Sequence, residues 1–358
     1  MEHILNILSV GNEVSIVPIG RIRVLQVFGD AYNRKVFYAT TLEGSNLKYV
    51  FKTFPINNAG CKSSEEVAHD VEMAIRHYRN KLDDKESVPV VKEIGFSSIT
   101  LEDGTTILIQ YEPYAGETVT DPIVNYRAEL VLTIVNEMLE QIIKPLFLNA
   151  SIVSNPERLS TGMDFIPRNV TVITIDGHRF YTYVDYFPAK GGKLPCGAWA
   201  LEYPEPTNEI VRKLGMFRSY NMAGILINFW THLSSLRPEL GGKFYKVIAY
   251  FIRRNNFNEK YDLEKVIDDY TLKKDLSIGK TSAEEIEKII QNWDFEDIFR
   301  LRMLACCLAF YRNNSRYLLL VLFKKSHFQD SPLGLDKINE IKEIILKMAS
   351  YQVDSDDK

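Results

Sequence analysis

Cysteine is scarce. Only Cys61, Cys196, Cys306 and Cys307 occur, and no two form a C-x-x-C pair, which argues against a disulfide framework or a zinc cluster. Cys306 and Cys307 lie in an apolar helical stretch and read as core filler. Long hydrophobic runs are also missing. The longest near the end, 317–323, falls far short of the roughly 20 helical residues that cross a bilayer. Met1-Glu2-His3 lacks the basic start of a signal peptide, so the sequence leads us to expect a cytoplasmic protein with no membrane contact. Neither sign of charge dominates, since 43 Lys and Arg against 47 Asp and Glu leave a net −4. The basic pairs Arg253-Arg254 and Lys324-Lys325 are small spots, so no nucleic-acid partner is expected. The six histidines show no H-E-x-x-H or other ligand spacing, and His69 and His77 fall on the polar side of a helix. Gly191-Gly192-Lys193 and Gly241-Gly242-Lys243 lack P-loop spacing and read as loops. There is no internal repeat, and the one biased tract is the acidic tail 354–358.

What remains is ordinary globular composition, 46% hydrophobic and 25% charged over 358 residues. That length suggests about two domains or lobes. Between residues 14 and 114 the apolar residues come in short runs rich in Val, Ile, Phe and Tyr. Runs at 22–27, 35–40, 48–54 and 106–110 are separated by Gly, Asn and Asp turns, the pattern of strands. One helix interrupts them. Ser63 and Glu66 have capping-box spacing, and Val67, Val71, Ala74, Ile75, Tyr78 and Leu82 share one face. Beyond Tyr126 the period changes to three-to-four, with helices expected at 125–148, 208–236, 243–254, 282–293, 295–311 and 335–351.

One β-rich interlude breaks the helical half. The runs 169–175 and 179–187 flank Asp176-Gly177, a strong hairpin signal. A two-residue loop sets Asn169 opposite Val184, and a three-residue loop sets it opposite Asp185. Either register brings the Asn169 amide and the Asp185 carboxylate to adjacent ends of one ribbon. Such oxygen donors suit a hard cation such as Mg²⁺. Just upstream, Asp164 precedes Asn169 by five residues, with Pro167 between them.

The segment Asp164-Phe165-Ile166-Pro167-Arg168-Asn169, followed by Val184-Asp185-Tyr186-Phe187, resembles the catalytic loop and metal-binding aspartate of protein-kinase-like phosphotransferases. The aminoglycoside and choline kinase branch is the nearest in pattern. Upstream, Val27-Phe28-Gly29 with the following turn resembles the phosphate-covering loop, and Tyr49-Val50-Phe51-Lys52-Thr53-Phe54 resembles the strand with the phosphate-binding lysine. Residues 108–116 resemble the hinge. Their backbone near Glu112 and Tyr114 would meet adenine. The resemblance spans about residues 20–190. Gly162 stands where many kinases carry a histidine, only Gly29 remains of the glycine-rich loop, and no A-P-E-like segment follows Asp185.

The resemblance implies an α+β, two-lobed kinase-like fold. Its small antiparallel nucleotide-binding lobe would cover 1–112. Its mostly helical lobe would cover 113–358, with the catalytic loop and hairpin at 164–187 and acceptor-binding helices at 190–350. It implies ATP- and Mg²⁺-dependent phosphoryl transfer to a hydroxyl of a small-molecule acceptor. Asp164 would be the base, Asn169 and Asp185 the metal ligands, and Lys52 the phosphate-binding cation. A lone lysine in an apolar strand needs a partner. Glu72 is favoured for that ion pair, with Glu66 second because capping occupies it. Tyr203, Glu205, Arg218, Tyr220 and Asn221 are candidates for the acceptor pocket. A nucleotide-binding pseudoenzyme and an atypical protein kinase stay open as alternatives.

Overall fold

The short β-branched and aromatic runs pair in an antiparallel sheet of six strands. They are β1 (Glu13–Ile16), β2 (Gly20–Ala31), β3 (Arg34–Thr41), β4 (Lys48–Ile56), β5 (Gly95–Thr100) and β6 (Thr106–Pro113). Their order is β1-β2-β3-β4-β6-β5. A computed structural model describes residues 9–31, 34–44, 46–56, 63–100, 106–154, 158–186, 219–271 and 284. The four cysteines, the helices expected at 295–311 and 335–351, that at 282–293 except residue 284, and the candidates Tyr203, Glu205 and Arg218 lie outside these residues.

Helix α1 (Ser64–Asn80) sits between β4 and β5 in sequence. Its start follows the expected capping box: Glu66 N–H donates to Ser63 Oγ at 3.2 Å and Ser63 N–H to Glu66 Oε2 at 2.8 Å. Val67, Val71, Ile75 and Tyr78 are buried, whereas His69 and His77 are exposed.

After β6 come β7 (Glu117–Thr118), α2 (Thr120–Asn125) and α3 (Ala128–Met138). The run expected at 125–148 is divided: α3 passes through a wide turn at Leu139–Ile143 into α4 (Lys144–Asn149), where Pro145 opens the new helix. A small ribbon, β8 (Ile152–Ser154) with β9 (Arg158–Leu159), precedes the hairpin β10 (Val170–Ile175) and β11 (His178–Tyr183). Four helices complete the described chain: α5 (Met222–Leu236), α6 (Gly241–Arg254), α7 (Asn258–Tyr261) and α8 (Leu263–Thr271). Gly241-Gly242-Lys243, expected as a loop, forms the first turn of α6. The result is an α+β fold, with the antiparallel sheet in the first part of the chain and helices dominating the rest.

Among the described residues there are two hydrophobic cores. The smaller lies on one face of the sheet, around Ile22, Val24, Phe37, Phe51, Ile107 and Ile109. The larger takes Phe54, Ile56 and Leu108 from the opposite face, the apolar stripe of α1, the hairpin and helices α2, α3, α5, α6 and α8. It runs without interruption from the sheet into the helical part of the chain.

Candidate active site

Strand register places Gly29 and Lys52 in one row. Gly29 pairs with Val36 beyond a bulge at Val27, Val36 pairs with Lys52, and Lys52 pairs with Gln110. Directly opposed residues share a sheet face. Strands are about 4.8 Å apart, so Gly29 lies two strands, or roughly 10 Å, from Lys52 on that face.

Residues two apart on a strand also share a face, so Glu112 lies on the Lys52 side. The expected Lys52–Glu72 pair does not form. Lys52 Nζ meets Glu112 Oε1 at 2.9 Å instead, and the two side chains are 18% and 3% exposed. Nζ also donates to the Val184 carbonyl at 2.5 Å and lies 5.3 Å from the centre of the Tyr186 ring, within cation–π reach. Glu72 is held one helical turn away, where Arg76 Nε donates to its Oε1 at 2.8 Å. Arg76 Nη1 reaches the Ile94 carbonyl at 3.2 Å, and its guanidinium covers Phe96 at 4.7 Å. The local i,i+4 geometry on α1 wins over the longer reach to β4. Glu66, the second choice, is committed to its cap.

The hairpin adopts the two-residue alternative. Ile175 pairs with His178, and Asp176 and Gly177 both take positive φ, 50° and 80°, as a type I′ turn requires. Asn169 therefore falls opposite Val184, whose N–H donates to the Asn169 carbonyl at 3.0 Å. The Asn169 side chain still reaches Asp185: Nδ2 donates to Asp185 Oδ2 at 3.1 Å and to the Asp164 backbone carbonyl at 2.9 Å. Because Lys52 binds the carbonyl of the residue before Asp185, three of the expected site residues converge at one end of the ribbon.

The end of that ribbon is fixed from below. Tyr183 N–H donates to the Pro89 carbonyl at 2.9 Å. Tyr186 Oη donates to the Tyr183 carbonyl at 2.8 Å and accepts from Val91 N–H at 2.7 Å. Burial raises the hydroxyls of Tyr78, Tyr183 and Tyr186 well above the usual phenol range, so all three stay neutral. Asp164 and Asp185 add to the rise at Tyr78 and Tyr183.

Asp164 is set by the segment around it and by α5. Phe165 is fully buried, 4.4 Å from the Phe229 ring. Asn228, 2% exposed, donates from Nδ2 to Asp164 Oδ1 at 3.2 Å. This residue was not anticipated, although a signal existed: it is the one amide within the apolar run Ile225–Trp230, and a buried amide calls for a partner. Met163 N–H donates to the Ser219 carbonyl at 2.7 Å, and Tyr78 Oη donates to the Gly162 carbonyl at 2.5 Å. The second bond joins α1 to the Asp164 segment.

Gly162 carries no side chain because there is no room for one. A Cβ there would lie 2.6 Å from the Tyr220 ring, so that ring occupies the space beside Gly162. Tyr220 and Asn221, both expected in an acceptor pocket, are 8% and 7% exposed. The first packs on Gly162, and the second caps α5 by accepting from Gly224 N–H at 3.0 Å.

The stretch expected to serve as the hinge is pinned by backbone pairing. Glu112 is a ladder residue opposite Val50, and Tyr114 N–H donates to the Lys48 carbonyl at 3.0 Å. The Tyr114 N–H is thus already used, and of the two positions expected to meet adenine this donor is not offered to a base. Tyr114 Oη donates to Glu117 Oε1 at 2.6 Å, and burial followed by this carboxylate raises its hydroxyl. Gly116, at φ 103°, lies so close to β10 that a Cβ would sit 2.3 Å from the Val172 carbonyl. Immediately after it, Glu117 and Thr118 pair with Val172 and Thr171.

Both Asn169 amide hydrogens point at carbonyl or carboxylate oxygens, which leaves Oδ1 as its atom for a cation. Among the described residues no group of three or more His, Cys, Asp and Glu gathers into a cage. One carboxylate and one amide oxygen suit Mg²⁺, which keeps several waters and takes phosphate oxygens from a nucleotide. The residues present fit a metal that arrives with its nucleotide.

No protein-family model matches the chain, and no curated protein does. Solved structures similar to it include the PknI kinase domain of Mycobacterium tuberculosis, as a double mutant, at 12% identity and TM-score 0.33 over 73% of this chain and 98% of that one. Amicoumacin kinase hAmiN, in complex with AMP-PNP, Ca²⁺ and Ami, aligns at 10% identity and TM-score 0.40 over 92% and 90%. The MAP kinase LmaMPK10 of Leishmania major aligns at 13% identity and TM-score 0.34 over 92% and 94%. These are likenesses of outline, and the chemistry of this chain stands on its own residues. Among the described residues no helix is long and apolar enough to cross a membrane.

Proposed function

We propose that this chain is an ATP- and Mg²⁺-dependent phosphotransferase that acts on a hydroxyl of a small molecule. The observation that carries this reading is convergence. Lys52 binds the carbonyl beside Asp185, Asn169 binds Asp185, and the same amide binds the backbone of Asp164. Residues 133 positions apart in sequence thus join one polar network.

In this reading Lys52 would bind the α- and β-phosphates. Asn169 Oδ1 and Asp185 would hold Mg²⁺, which supplies charge neutralisation on the phosphates. The acceptor hydroxyl oxygen would form a bond to the γ-phosphorus as the bond to the β,γ-bridging oxygen breaks. The hydroxyl proton would pass to the Asp164 carboxylate, and ADP would leave. Asn228, on Asp164 Oδ1, would keep that carboxylate aimed at the acceptor. Catalysis of this kind is mostly positioning and electrostatics.

The test is a thermal-shift series with ATP and GTP, with and without Mg²⁺, on wild type and Asp185→Ala, followed by turnover against hydroxylated small molecules. A Mg²⁺-dependent rise in Tm that Asp185→Ala abolishes, with labelled product, supports the reading. No nucleotide effect on wild type removes it. Binding without turnover points to a pseudoenzyme, and labelling of proteins alone points to a protein kinase.

A further inference from the structure

We propose that Glu112, on β6, is the counter-ion that aims Lys52 at the nucleotide, so the lysine's position is built into the sheet and is not gated by movement of α1. This rests on the phosphotransferase reading above. In kinases the strand lysine is paired with a glutamate of the following helix, and helix position then controls activity. Here that helix has three glutamates, and each is engaged elsewhere. Glu65 accepts from Thr100 Oγ1 at 3.0 Å, Glu66 closes the capping box, and Glu72 holds Arg76.

Glu112 is fitted for the task in ways a surface acid is not. It is 2% exposed, and its second oxygen, Oε2, accepts from Gln110 Nε2 at 2.9 Å. Gln110 is the residue directly opposite Lys52. The carboxylate is therefore oriented by the same strand pair that carries the lysine, and its distance from Nζ is set by register. Removing one member of a buried charge pair strands the other. With Glu112 neutral, Lys52 would keep, among the described residues, the Val184 carbonyl and the Tyr186 ring.

The experiment measures Mg²⁺-ATP affinity, with Tm in parallel, for wild type, Glu112→Gln, Glu72→Gln, Lys52→Met and the Lys52→Met/Glu112→Gln double variant. We expect Glu112→Gln to weaken binding by roughly ten-fold or more, and Glu72→Gln to change it by no more than about two-fold, the scale of an exposed helical pair. We also expect Glu112→Gln to add nothing once Lys52 is Met, a coupling that a purely structural role would not produce. The double variant, which removes both charges, keeps the comparison open if Glu112→Gln folds poorly. A wild type that binds but is matched by Glu112→Gln overturns this proposal alone. So does a loss carried by Glu72→Gln, or one that persists in the Lys52→Met background. A wild type that binds no nucleotide overturns the functional reading and this proposal with it.

Discussion

The Asn169 side-chain amide donates to the Asp185 carboxylate at 3.1 Å, so the two groups assigned to the cation are oriented by each other before any ligand arrives. In Asp185→Asn one carboxylate charge is lost with little change of shape. Turnover is expected to fall by roughly a thousand-fold, on the scale of losing a group that stabilises developing charge. Far-UV circular dichroism should remain that of wild type. Near-native kcat in this variant would remove Asp185 from the metal site.

Asn228→Leu removes the donor to Asp164 Oδ1 and places an apolar side chain of similar size in a buried position. We expect kcat to fall by about ten-fold or more while the KM for ATP hardly moves, because the change touches the acceptor side. A rise in the KM for ATP without loss of kcat would show that Asn228 acts on nucleotide binding instead.

Gly162→Ala drives a methyl group into the Tyr220 ring. Overpacking of this kind costs about 1–3 kcal/mol. Chemical denaturation should show that loss, and the penalty of Gly162→Ala should shrink when it is measured in a Tyr220→Ala background. Additive effects in the double variant would mean that the two residues do not press on each other.

Glu140 anchors the wide turn after α3 to the end of α6. Burial alone would raise its carboxyl, but hydrogen bonds from Asn255, Arg254 and Lys144 outweigh this and hold it below the ordinary glutamate value. A lowered carboxyl contributes stability that is present above the unfolded value and lost as pH falls through the folded one. Tm should therefore drop as pH falls through and below the ordinary glutamate range, and Glu140→Gln should flatten that part of the profile. Identical acid profiles for the two proteins would show that the contacts of Glu140 do not depend on its charge.

The elements that were legible in the sequence are those with short-range signals. Ser63 and Glu66 specify a cap within four residues, and Asp176-Gly177 specifies a turn within two. Helix periodicity gave the buried side of α1 correctly but could not say how far Glu72 stands from β4, and its neighbour Arg76 took it. The Lys52–Glu112 pair depends on the register of β4 against β6, which joins residues 60 apart and follows only from strand pairing. Asn228 was visible as an amide in an apolar helix, yet its target lies 64 residues away. Tyr220 and Asn221 carry chemistry-capable side chains, but packing and capping claim both.

The apolar stripe of α1 belongs to the same core as α5 and α6, and Tyr78 bonds across to Gly162. A fragment ending at Glu112 would strip Tyr78 of its Gly162 partner and open the part of this core that the helices close. The sheet and the helices around it should therefore melt together, as one calorimetric transition, and cutting the chain after the sheet would yield an aggregating piece instead of a free-standing nucleotide module.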